Sequence, residues 1–206
     1  MNSGATQSSQ LLSSLFRDLD EEQRLSVLHL GPPLQETLEF FSGHRCRLQV
    51  VDLFAELPLP AEEETENGLV AHMRQLLQFP VDARFDACLF WDLFNYLDAP
   101  ALTAFLDVLV PHLSPACLAH GFSIHNPRTP QAGKRYGISA TETLSVRARK
   151  EPLPGYAPHS QNQLKALLHC FDIERTVLLA DKRLEFLLRA RAQDTRASEL
   201  RSSARV

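Results

Sequence analysis

The 206 residues, 44% of them hydrophobic, suffice for one domain with a substantial core and would crowd two catalytic domains. A formal net charge of -4 gives no overall electrostatic preference for nucleic acid or an anionic membrane, so any such partner must be sought in a local patch. Cys46, Cys88, Cys117 and Cys170 stand far apart and form no CxxC pair, which argues against a zinc ribbon or redox couple and for reduced, mostly buried thiols. The amino terminus lacks a basic start followed by a long apolar run, and the acids Asp18, Asp20, Glu21 and Glu22 argue against a transit peptide. Nowhere do about 18 apolar residues run together, so a soluble cytoplasmic protein without membrane contact is expected.

Residues 1–9 are small and polar and read as a disordered terminus, residues 10–191 as one folded domain and residues 192–206 as a flexible polar tail. Leu11, Leu12, Leu15, Phe16 and Leu19 fall at helical spacing after a Ser8 or Ser9 cap. Leu25 to Leu30 is an apolar run ending at Gly31, a strand signal, and Thr37 to Ser42 predicts a short helix. Leu48 to Leu53 is a second apolar run, with Asp52 at its end. Glu62, Glu63, Glu64 and Glu66 precede an amphipathic helix carrying Leu69, Val70, Met73, Leu76 and Leu77, where negative charge suits the macrodipole. Ala87 to Trp91 reads as a buried strand, with Asp92 and Asn95 just beyond it. Asp98 caps a helix with Pro100 in its first turn and Leu102, Phe105, Leu106, Leu109 and Val110 along its stripe. Cys117 to Ile124 is the next strand.

From His125 to Ser160 the chain is proline-rich and locally basic, with Arg128, Lys134, Arg135, Arg147, Arg149 and Lys150 against Glu142 and Glu151. Leu144, Val146 and Ala148 alternate as in a short edge strand. Ser160 caps a helix over Gln161 to Phe171. Ile173 to Ala180 and Leu184 to Ala190, joined by Asp181-Lys182-Arg183, predict a closing antiparallel pair. The fold class is therefore α/β: a doubly wound, mostly parallel Rossmann-like sheet of about seven strands, with a terminal antiparallel strand pair and helices on both faces. Ligands of such sheets bind at the carboxyl ends of the strands.

VLHLG, VVDLF, FDACLFWDLFNYL and LSPACLA, in this order over Leu11 to Arg191, resemble the motifs of the Rossmann-like (class I) S-adenosylmethionine-dependent methyltransferases. The resemblance implies S-adenosyl-L-methionine as cofactor and methyl transfer to an acceptor that no motif identifies. Carried over by position, it implies Leu30 and Gly31 beside the cofactor's methionine part, Asp52 accepting from the ribose hydroxyls and Leu53 flanking adenine. Phe90, Trp91 and Asp92 would lie near the sulfonium side. The plainer roles are a strand-end turn or cap for Asp52 and core packing for Trp91, the stronger reading for that ring.

The first glycine motif is degenerate. His29 stands where the family carries an acid, and Pro32 and Leu34 stand where further glycines are usual. Neutral imidazole does not replace a carboxylate's charge, and a proline pair either stiffens the loop or strips it of donors. The loop GPPLQE is not GxGxxG, no GxxxxGK occurs, the histidines show no HxxxH spacing and no serine sits in GxSxG. Two classes remain: a methyltransferase in which Asp92, Asn95 or His125 orients a substrate, and an inactive methyltransferase-like module. The module would use the basic segment 128–150 to contact an acidic protein or nucleic acid. An open pocket bounded by Gly31, Asp52 and Asp92 distinguishes the enzyme; filling by Pro33, Leu34 or Phe54 distinguishes the module.

Overall fold

The apolar runs of the sequence become the strands of one sheet. In the structure, a computed structural model that describes residues 4–16, 24–59, 66–128 and 131–192, these are β2 (Leu25–Leu30), β3 (Cys46–Val51), β4 (Phe85–Trp91) and β5 (Leu113–Ile124). They pair in parallel, and β8 (Phe171–Leu178) and β9 (Arg183–Ala190) complete the order β3-β2-β4-β5-β9-β8, with β9 antiparallel to both neighbours. The terminal pair is as expected; among the described residues the main sheet has six strands, against the expectation of about seven. After β3 the described chain makes a 3-10 turn, Leu53–Glu56, and leads through Pro58 toward α3 (Glu66–Leu77). The remaining strand expected from the sequence, around Leu144 to Ala148, pairs in a second sheet instead.

Side-chain alternation gives each strand two packed faces. Leu28, Leu30, Cys88 and Phe90 pack with α3, α4 (Ala99–Leu109) and α5 (Gln161–Leu167), whereas Val27, Leu89 and Trp91 share a core with α1 (Leu12–Phe16) and Phe41 of α2 (Gln35–Ser42). Asp98 caps α4 by accepting from the Ala101 amide at 2.9 Å. Ser160 and Gln163 form a capping box on α5, which ends at Leu167, before the predicted limit. Leu19, Glu62, Glu63, Glu64, the acids of residues 18–22 and the tail from residue 193 lie outside the described residues. Among the described residues no helix is long and apolar enough to cross a membrane.

A second, three-stranded antiparallel sheet, order β1-β7-β6, joins β1 (Ala5–Ser8), β7 (Thr143–Ala148) and β6 (Lys134–Ala140). Residues 5–8 belong to the terminus expected to be disordered, and β7, expected at an edge, is the central strand. The reason is tertiary. Tyr136, Ile138, Leu144 and Val146 are buried in the same core as Trp91 and Phe122, and β1 adds its backbone to the free side of β7. Polar anchors fix this sheet: the Arg183 guanidinium donates to Gln7 Oε1 and to the Tyr136 hydroxyl, and the Ile138 amide donates to Thr37 Oγ1.

Candidate functional site

Gly31, Asp52 and Asp92 follow directly on β2, β3 and β4 at the carboxyl ends of neighbouring strands. The chain leaves β2 for β3 on one side and returns to β4 on the other, which makes this the switch point where open α/β sheets bind ligands. Gly31 adopts φ +91 and donates its amide to Val51 O at 2.7 Å. A Cβ there would lie 2.8 Å from the Phe54 ring, so the close approach that glycine permits is taken up by this side chain. Leu34 is buried against Gly137 of β6.

His29 is buried and neutral: desolvation lowers its pKa to about 4, against the opposing pull of a hydrogen bond to Gly31. Its Nε2 accepts from Trp91 Nε1 at 3.1 Å, which leaves Nδ1 to donate to Gly31 O, also at 3.1 Å. The imidazole thus braces the loop against the tryptophan. Trp91 has φ +52, a strained conformation for a bulky residue, and stacks on Tyr136 with centroids 5.3 Å apart. Core packing therefore holds for its ring, although its backbone shapes the site.

Asp92 is 5% exposed, and its Oδ1 has no hydrogen-bond partner among the described residues. Burial pushes its pKa up to about 6, with Arg149 and Arg183 only partly offsetting the desolvation. Arg149 lies with its guanidinium 4.6 Å from the Phe54 centroid and donates from Nε to Lys134 O. Leu30, Gly31, Trp91, Asp92, Tyr136 and Arg149 meet around a space of only about 10 Å³, far below the roughly 300 Å³ at which small-molecule pockets begin. The opening expected for an enzyme is closed here by Phe54 and β6.

Asp52 and Leu53 lie apart from this closed space, on a cleft of about 470 Å³ that runs along the free side of β3 to the end of α3. The Asp52 carboxylate is exposed and makes no capping hydrogen bond, so it is free to accept from a ligand. Phe90 joins neither space. It points to the opposite face from Trp91 and packs against Phe94, Phe105 and Phe171. Asn95 is buried in structural work, donating to Phe122 O at 3.4 Å and accepting from Ser123 Oγ at 3.5 Å. His125 is exposed on the rim, within 3.4 Å of Gln161 Nε2. Tyr136, Arg149 and Arg183 were not singled out as site residues, and the signal that leads to them is the two-residue alternation of Tyr136-Ile138 and Leu144-Val146.

No protein-family model matches the sequence, and neither does any curated protein. Among solved structures, 90% of the chain is similar to 93% of an S-adenosylmethionine-dependent methyltransferase from Clostridium acetobutylicum, with TM-score 0.53 and 12% identity. A candidate type 11 methyltransferase from Sulfolobus solfataricus is matched over 91% of this chain and 96% of its own, with TM-score 0.51 and 9% identity. The chain also spans about half, 54%, of the pyocyanin biosynthetic protein PhzM, using 87% of its own length at TM-score 0.48 and 14% identity. The fold is that of the class I S-adenosylmethionine-dependent methyltransferases.

Proposed function

We propose that the chain is an S-adenosylmethionine-dependent methyltransferase whose methionine-side pocket is shut by Phe54 and the β6–β7 hairpin. Asp92 is the observation that carries this reading. An orphaned buried carboxylate oxygen and a positive φ on Trp91 both cost stability, and both sit at the ligand end of a methyltransferase-like sheet. A buried carboxylate with a raised pKa at the carboxyl ends of the strands is a functional candidate.

S-adenosylmethionine supplies a methyl group already activated by its sulfonium charge. What remains for this chain is to bind, to orient and to take a proton. The nucleoside end fits the residues present at Asp52, which offers two free acceptor oxygens on the 470 Å³ cleft, whereas Leu53 is packed in the core behind it. The methionine end fits only once Phe54 leaves Gly31. Asp92, with a pKa of about 6, is mostly ionised at neutral pH and accepts the proton of an acceptor O–H or N–H at its free Oδ1.

Thermal unfolding with and without S-adenosylmethionine and its demethylated product tests this. Ligand at about 100 times its dissociation constant adds roughly 2.7 kcal/mol, or about 5 to 10 °C for a domain of this size. The expected shift is abolished by Asp52→Ala and enlarged by Phe54→Leu, which shortens the side chain that fills Gly31. A second reading, an inactive binding or regulatory module, is favoured by the 10 Å³ space. Its basic contact surface is already partly engaged, because Lys134 pairs with Asp181 and Arg147 with Glu36. Absence of any shift at millimolar ligand, in the parent and in Phe54→Leu alike, would select it.

A further inference from the structure

Beside the closed space, on the outer side of Phe54, lies a second cleft of about 630 Å³. Its floor is apolar, with Phe54, Leu57 and Leu153, and its walls carry Arg135, Arg147, Arg149 and Lys150 against the single acid Glu151. Arg147 is held by Glu36. Arg135, Arg149 and Lys150 have no carboxylate within ion-pair distance among the described residues; Arg149 instead stacks on Phe54. The Nε atoms of Arg135 and Arg147 are buried without hydrogen-bond partners, a costly state for guanidinium donors.

We infer that this cleft binds a small organic anion, an apolar body ending in a phosphate or carboxylate group. Three features select this class. The volume lies within the range of small-molecule sites, the apolar floor offers contact area, and planar guanidinium groups suit multi-oxygen anions. A cleft of this volume, with apolar residues between its basic walls, matches the dimensions of a small ligand. Binding at this cleft does not depend on methyl transfer and is tested without cofactor.

Calorimetric titration of the full chain with phenyl phosphate, phenylacetate, phenol and inorganic phosphate decides the matter. Phenyl phosphate or phenylacetate should bind saturably, the better of the two naming the head group, and roughly tenfold or more tighter than phenol or inorganic phosphate. The affinity should fall as sodium chloride is raised. Arg135→Gln should weaken binding about tenfold, and Lys150→Gln, on an exposed side chain that folding does not need, about threefold. Equal binding of phenol would remove the anion site, and equal binding of inorganic phosphate would remove the apolar floor. Unchanged affinity in both variants, or tighter binding of a single-stranded oligonucleotide than of either aryl anion, would overturn the assignment.

Discussion

Two carboxylates are buried among the described residues, and their surroundings differ. Glu185 on β9 receives hydrogen bonds from Ser9 Oγ, from the Gln10 and Leu11 amides at 3.2 Å each and from His120 Nε2 at 2.8 Å. Burial opposes its ionisation, yet these bonds prevail and hold its carboxyl below the usual range. Asp92 at the end of β4 keeps one oxygen unpartnered, and there burial prevails and raises the pKa to about 6. The comparison separates structure from function: a carboxylate that ties an N-terminal segment to a sheet is saturated with donors, whereas one poised for chemistry has spare acceptor capacity.

The largest effect is expected where the saturated group is removed. Glu185→Ala leaves Ser9, two amides and His120 without their acceptor, and should cost about 3–5 kcal/mol in urea unfolding. A loss below about 1 kcal/mol would show that the network is not a structural anchor. Asp92→Asn should act in the opposite direction. A carboxyl whose pKa rises from 3.8 to about 6 on folding binds more protons in the folded state, so stability falls as pH climbs between those values. That is ~3 kcal/mol at pH 7, which Asp92→Asn should recover while abolishing any methyl transfer. A less stable Asp92→Asn at neutral pH would break the comparison.

His29 supplies the counter-slope. Its pKa falls from 6.5 to about 4 on folding, so its contribution is present above pH 6.5 and is lost as pH drops toward 4. In the parent the two slopes oppose one another over pH 4 to 6; in Asp92→Asn the stability should rise by ~3 kcal/mol from pH 4 to 6.5, followed by urea midpoints. The smallest effect belongs to a half-exposed pair. Lys134→Gln removes the 2.8 Å contact with Asp181 and should cost roughly 0.2–1 kcal/mol, less at high salt.

Several elements could be read directly from local pattern. The runs around β2 to β5, the stripe and cap of α4, the Ser160 cap and the antiparallel end all follow from periodicity, capping chemistry and turn residues. Gly31, Asp52 and Asp92 were placed correctly at strand ends because a strand end is a local property. Whether they share one space is not local. Asp52 opens onto the β3 cleft, while Gly31 and Asp92 face a space closed by Tyr136 and Phe54.

By itself, then, the sequence determined the α/β alternation, the main strands and the positions of the turns, since these depend on spacing within one segment. Only the tertiary structure decided that residues 5–8 form a strand, that Lys134–Ala140 folds back over Trp91 and that His29 is a neutral brace. It also decided that Glu185 is saturated and Asp92 is not. The physical reason is common to all of these: each depends on desolvation and on hydrogen-bond partners supplied from remote parts of the chain, as when Ser9 meets Glu185, and no local window contains both members.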